Sequence, residues 1–262
     1  DTLEFVYTDN ISVFDKIIPS QIPHKGETLC RTAKFWFNLL NENGIHNHYI
    51  SESGPNKMRV KKVNIIWDYN EINEKTVNYL IPLEVICRHY AAGSLMDRVK
   101  IGEITSEDLG FPEGHYVSYG EKLPVPFIEV TTKLEEHDQS LTEFEAKEMA
   151  GLTDEEYNEI KNTVLRIDGI IAEEAAKRGL IHCDGKKEFG FDKERKLMVL
   201  DTFGTLDEDR WWDAGEYAKG NVLELSKEFV RQHYRNTGYH SELMDARNAG
   251  GEEPDIPETA TR

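Results

Sequence analysis

LIHCDGKKEFGFDKERKLMVLDTFGTLDEDRWWD, residues 180–213, is the stretch on which the reading of this chain turns. Apolar residues gather in Leu180–Asp184 and Lys196–Phe203, with the polar run Phe191–Arg195 between them, which predicts two short strands joined by a turn. Side chains of an extended chain alternate between faces. Asp184, Lys186 and Glu188 therefore fall on one face, and Ile181, Cys183 and Phe189 on the other. On the return strand Asp201 stands between Leu200 and Phe203, a costly place for a carboxylate unless a cation or donors meet it. Glu188 and Asp201, converging from paired strands, suit a hard cation such as Mg²⁺, which takes few protein oxygens and leaves its other positions to phosphate and water. Lys186 between them suits an anionic ligand. The plainer account of the same pattern is a solvated, salt-bridged surface hairpin.

At 262 residues the chain has enough length for one large domain or two lobes. A net charge of −18 and a pI near 4.9 argue against a general nucleic-acid or anionic-membrane binder, both of which need basic surface. Any anionic ligand must meet locally placed Lys and Arg. Cys30, Cys87 and Cys183 are scattered and odd in number, without a CxxC pair, so neither a disulfide framework nor a zinc site is expected and a reducing cytoplasm fits. No apolar run approaches membrane-spanning length.

A second stretch, RHYAAGSL at 88–95, follows the strand-like YLIPLEVICRHY and leads into SLMDRVK, a helix opening at Ser94. A helix N-terminus offers free N–H groups to an anion, and Arg88 stands nearby; simple capping by Ser94 is the alternative. Elsewhere, Leu3–Tyr7 and Met58–Trp67 read as strands, and Thr28–Asn43 as an amphipathic helix with Leu29, Ala33, Trp36, Phe37 and Leu40 inward. Residues 102–126 read as a long loop, and 127–141 as a strand ending in Lys133, Glu135, His137 and Asp138. A helix over Thr153–Lys177 opens on a T-x-x-E capping box, and another is expected over Gly220–Asn236.

Together these stretches resemble the SAICAR synthase family of purine biosynthesis. DGKKEFG and LDTFGTLDEDRWWD match its D-x-K-x-E-x-G and D-E-x-(S/T)-P-D-x-x-R-x-W signatures, and RHYAAGSL matches its R-(N/H)-x-A-A-G-S-L. Thr202 stands where the common form has Glu, which leaves Asp201 the carboxylate at that strand end. TDNISVFD and Lys25-Gly26 match further family segments. The resemblance implies an α+β, two-lobed fold related to ATP-grasp and kinase-like nucleotide-binding architectures. It puts a smaller nucleotide-binding lobe at 1–80 and a larger lobe at 81–240, with a disordered tail at 241–262 by composition. A Gly-Lys phosphate loop is expected upstream of Asp1.

The activity implied is ATP-dependent joining of L-aspartate to the carboxylate of CAIR, giving SAICAR, ADP and phosphate through an acyl phosphate, with ATP and Mg²⁺ as cofactors. Lys186 and Asp184 are the expected catalytic residues. Arg88, Gly93, Ser94, Lys133, Asp138, Arg210, Lys227 and Arg231 are expected at the substrates, Lys62 and Glu84 at the nucleotide, and Glu188 and Asp201 at the metal. The expected partners are these small molecules, with no nucleic acid and no membrane, and with room for a homo-oligomer. A small-molecule kinase of the same architecture and a non-catalytic nucleotide-binding regulator are the rival readings.

Overall fold

The computed structural model describes residues 1–257 other than 136. The chain opens with β1 (Thr2–Val6) and a small ribbon of β2 (Ser12–Val13) and β3 (Lys16–Ile17). Helix α1 (Lys25–Glu42) and the hairpin β4 (Tyr49–Gly54) and β5 (Lys57–Lys61) follow. β1 and β4 flank β5 in an antiparallel three-stranded sheet. Leu29, Ala33, Trp36, Phe37 and Leu40 of α1 are buried, the stripe that helical periodicity predicts.

The second sheet takes β6 (Tyr79–Tyr90), β7 (Lys122–Thr132), β8 (Ser140–Leu141), β9 (Leu180–Phe191), β10 (Leu197–Leu200) and β11 (Asp209–Asp213). Its order is β10-β9-β6-β7-β8, with β11 paired to the first half of β9 and β10 to the second. β9 is thus bonded along both edges. Its charged residues lie in the middle of a sheet, which overturns the surface-hairpin account and obliges each buried charge to find a partner.

Helices α2 (Ser94–Lys100), α3 (Glu143–Ala150) and α4 (Asp154–Ala176) complete this part of the chain, and α5 (Ala214–Tyr217), α6 (Glu228–Asn236) and α7 (Tyr239–Ala249) follow β11. α4 opens on the expected capping box of Thr153 and Glu156. Its Ile160, Val164, Ile167, Ile171 and Ala175 join Leu83, Val85 and Phe189 of the large sheet and Phe37, Met58 and Val60 of the N-terminal part in one continuous core. Each such aliphatic side chain, fully buried, contributes roughly 1.5–3 kcal/mol. The smaller sheet lies wholly within the first 80 residues, while β6 already begins at Tyr79. Among the described residues no helix is long and apolar enough to cross a membrane, and the three cysteines are free and buried.

Four local expectations are corrected. Arg210 pairs with Asp184 but Trp211 pairs with His182, so Cys183 is an extra residue at a bulge and packs with Ala92 and Trp212 instead of with Phe189. The strand expected over 58–67 ends at Lys61. The helix expected from Gly220 begins only at Glu228, because the 223–225 backbone pairs with β11: Asp213 N–H donates to Leu223 and Leu225 N–H to Trp211. The tail expected to be disordered from 241 is helical to Ala249, since Tyr239 and Leu243 cover Ile11, Val13 and Ile18 beside Tyr234. Residues 258–262 lie outside the described part.

Candidate active site

In the register of β6 and β9, Glu84 faces Glu188, Ile86 faces Lys186 and Arg88 faces Asp184. Two glutamates directly opposite repel unless cations intervene. Two do. Lys186 Nζ lies 2.6 Å from Glu84 Oε1 and 3.6 Å from Glu188 Oε1, and Lys133 Nζ lies 2.5 Å from Glu188 Oε2 and 3.9 Å from Glu84 Oε1. β10 pairs Leu200 with Glu188, and the next residue, Asp201, turns left-handed at φ 52° and ends the strand.

Glu188 is 3% exposed, and its Oε1 has no hydrogen-bond partner. Burial, then the charge of Asp201, pushes its carboxyl up to about 8 against the opposing pull of Lys133 and Lys186. Such a group gains from a further cation. Glu208 adds a third carboxylate, 3.9 Å from Lys186 Nζ, and burial, with Asp201 beside it, leaves its carboxyl raised against the opposing pull of Lys186. Sequence reasoning missed Glu208 because Asp207, Glu208 and Asp209 form an acidic run with no face assigned. The alternation that places Arg210 and Asp184 together would have put Glu208 on the same side. Thr202 turns its hydroxyl to that of Tyr7 at 2.9 Å, so it adds no charge here.

Farther along β9 lies a pair of buried arginines. Arg88 contacts Glu129 Oε1 through Nε at 3.0 Å and Nη2 at 2.6 Å, and Asp184 Oδ2 through Nη1 at 3.3 Å. Arg210 Nη1 reaches the same Asp184 oxygen at 2.9 Å, and its Nη2 reaches Glu228 at 3.2 Å. Gly93, at φ 60° and ψ −144°, lets the chain pass this pair: a Cβ there would lie 2.6 Å from Arg210 Nη1. Ser94 Oγ is 3.5 Å from Arg88 Nη2. Arg88, Gly93, Ser94 and Arg210 are therefore brought together at one place. Asp184, expected among the catalytic residues, sits between the two guanidinium groups and anchors them.

Lys227 Nζ lies 3.5 Å from Ser12 Oγ and lines a cavity of about 250 Å³ with Lys25 and Asp207; burial holds its pKa below the usual lysine value. Arg231 is 3.7 Å from Glu228. Asp138 is exposed in the loop after β7, near enough for Glu84 and Lys186 to act on its charge. Asp9 accepts from the Gly26 and His24 N–H groups, as loop aspartates commonly do.

Between the two sheets lies a cavity of about 240 Å³. Leu3, Phe5, Val60, Val63 and Ile65 form one wall and Leu80 and Leu200 the other, with Lys61, Lys133, Glu188 and Asp201 at the polar end. Lys62, the expected nucleotide lysine, is exposed just beyond β5. The strand ends at Lys61, six residues earlier than expected, and Lys61 is the lysine that lines the cavity.

A family model described as SAICAR synthetase matches residues 1–245 of the chain. The chain belongs to the SAICAR synthetase family. It is 52% identical over 257 residues to the phosphoribosylaminoimidazole-succinocarboxamide synthase of Thermoplasma acidophilum, spanning 98% of this chain and 86% of that one. To the enzyme of Nitrosopumilus maritimus it is 33% identical over 259 residues, with 98% and 85% covered. The crystal structure of SAICAR synthetase from Pyrococcus horikoshii superposes with a TM-score of 0.69 at 28% identity, covering 98% of this chain and 96% of that one. A SAICAR synthetase solved in complex with ADP has the same TM-score and identity, with 98% and 94% covered. The SAICAR synthetase family comprises ligases of purine biosynthesis, and with membership in it the kinase and regulator readings fall away.

Proposed function

We propose that the protein joins L-aspartate to the carboxylate of CAIR through an acyl phosphate, converting ATP to ADP and phosphate and releasing SAICAR. The observation that carries this reading is Glu188: a buried carboxylate with one unpartnered oxygen, beside Asp201, at the polar end of an apolar slot. The relative solved with ADP suggests the slot's ligand class. An adenine base suits the apolar walls, with its phosphates toward Lys61, Lys133 and Lys186. Glu84 holds Lys186 in place for them.

The chain's donors fit Mg²⁺. Glu188, Asp201 and Glu208 offer only oxygens, as a hard cation requires, and one oxygen of Glu188 lacks a hydrogen-bond partner. Bound there, Mg²⁺ would neutralise phosphate charge. Lys133 and Lys186 supply positive charge to the transferring phosphoryl group. Arg88 and Arg210, fixed by Glu129, Asp184 and Glu228, face the phosphoribosyl phosphate with Gly93 and Ser94. Lys227 and Arg231 are cations for the substrates' carboxylates, and Asp138 borders the same cluster. An oxygen of the CAIR carboxylate attacks the γ-phosphorus and ADP leaves. The aspartate amine then attacks the acyl carbon, and phosphate departs with the amide bond made. Both steps need positioning and charge neutralisation more than a protein nucleophile.

A coupled ADP-release assay that omits CAIR and aspartate in turn tests the reading. ADP should appear at the full rate only when ATP, CAIR and aspartate are all present. Steady ADP release without aspartate, with a stable phosphorylated product, would show a different reaction.

A further inference from the structure

Lys187 occupies the face of β9 that turns toward α4, opposite Val85 of β6, and its side chain is wholly buried. An apolar residue would pack there without the cost of desolvating an ammonium group. Its Nζ pairs with Asp168 of α4 and lies 3.4 Å from Asp209 Oδ2 at the start of β11. Two histidines close the chain of contacts: His89 Nε2 lies 3.1 Å from Asp168 Oδ2, and His182 Nε2 lies 2.6 Å from Asp209 Oδ2. Among the described residues, Cys87, His89 and Asp168 form the one set of three ligand-type side chains whose donor atoms lie within 4.8 Å of one another. Lys187 already gives Asp168 its cation, which opposes a metal ion there.

Asp209 is the pivot. Its Oδ1 accepts the Gly204 N–H at 2.9 Å, and its own N–H donates to Thr205 at 3.0 Å, so it clasps the turn that runs from Asp201 to β11. Gly185 makes room for it, since a Cβ there would lie 2.0 Å from Asp209 Oδ2. Strand alternation then sends the residues on either side of Asp209 to the opposite face of the sheet. Glu208 reaches Lys186, and Arg210 reaches Asp184.

We propose that Lys187 is a positioning residue for the ligase reaction: by holding Asp209 against α4 it sets the 201–209 turn, and so the placement of Asp201, Glu208 and Arg210 in the active site. This rests on the functional reading of those three side chains. Lys187 touches no substrate; it acts from behind the sheet.

Lys187→Met alone leaves both Asp168 and Asp209 without Lys187, so the double variant Lys187→Met/Asp168→Asn, which removes the Lys187–Asp168 pair together and leaves Asp209 its His182 contact, is the decisive one. The full-length enzyme and both variants are compared for kcat, the KM of each substrate, cooperative thermal unfolding, and amide hydrogen exchange over residues 201–210. In the double variant unfolding should stay cooperative while exchange at Gly204 and Asp209 quickens. kcat should fall between about tenfold and a hundredfold, the scale of a misplacement near 1 Å. Lys187→Arg, which keeps the charge, should recover part of the loss. Native exchange in the turn overturns the proposal whether or not kcat changes. Faster exchange with native kcat also overturns it, and locates the fault in the functional reading of Asp201, Glu208 and Arg210. Failure of both Met variants to fold would assign Lys187 to the core alone and overturn it as well.

Discussion

Glu188 shows how much one side chain in this site carries. It is opposed across the sheet by Glu84, flanked by Asp201, and held by Lys133 at 2.5 Å, yet one oxygen makes no hydrogen bond. Glu188→Gln keeps the shape and removes the charge, so Lys133 loses its ion pair while the repulsion from Glu84 and Asp201 disappears. These changes oppose each other, and the unfolding midpoint should move by the equivalent of about 1 kcal/mol, roughly 2–4 °C. Turnover should drop on the order of a hundredfold or more, as when a preorganised charge is removed from a transition state. Excess Mg²⁺ should restore part of it by mass action. Steady-state rates across a Mg²⁺ titration check this, and normal Mg²⁺-dependent turnover in the variant would remove Glu188 from the metal site. The residue types Asp184, Lys186, Glu188 and Asp201 were legible because charges in an apolar strand pattern demand partners. Which of Lys61 and Lys62 faces the cavity was not, because it depends on where β5 ends.

At the scale of elements, α4 and β9 are joined by a buried ion pair as well as by apolar packing. Burial alone would raise the pKa of Asp168, but Lys187, His182 and His89 outweigh it and hold the carboxyl well below the usual 3.8. A depressed folded-state value means that this carboxylate stabilises the fold at pH values above 3.8, and that the contribution fades as pH falls toward the lower folded-state value. Asp168→Asn should therefore cost about 3–5 kcal/mol near neutral pH, the usual penalty for removing one partner of a buried pair. Urea unfolding at pH 7, 5 and 3 should show the gap to the parent protein steady between the first two and narrower at the third. A gap that does not narrow would mean that the ion pair adds nothing beyond packing. α4 itself was legible to within a residue from its capping box and its apolar stripe. The late start of α6 was not, since Leu223–Leu225 pair with β11 and tertiary pairing overrode local helical preference. The bulge at Cys183 likewise follows from how β11 meets β9, and no local signal marks it.

At the scale of the molecule, the apolar slot proposed for the nucleotide belongs to neither sheet alone: Leu3, Phe5 and Val60 come from the small one, and Leu80, Lys133, Glu188 and Leu200 from the large one or its loops. Leu3–Tyr7 and Met58–Trp67 were legible as strands, although the second ends at Lys61 and leaves Val63 and Ile65 beyond it. Their juxtaposition arises from the continuous core that Phe37, Met58 and Val60 share with Leu83 and Phe189. A ligand that bridges the sheets should therefore stabilise the whole molecule cooperatively. At a hundred times its dissociation constant ADP should add about 2.7 kcal/mol to the free energy of unfolding, because it binds the folded chain and not the unfolded one. Val63, half-buried on the wall of the slot, offers a way to block it without opening the core. Val63→Trp places a larger ring in a cavity of about 240 Å³, where the base would lie. The stabilisation by ADP should be lost and the KM for ATP should rise at least about tenfold, which corresponds to 1.4 kcal/mol. The affinity for CAIR, whose proposed contacts Arg88 and Arg210 lie at the far end of β9, should stay near its parent value. Calorimetric titration with each ligand separates the two: full ADP binding in Val63→Trp would move the nucleotide out of the slot, whereas equal loss of both ligands would show that the two ends of β9 respond as one site.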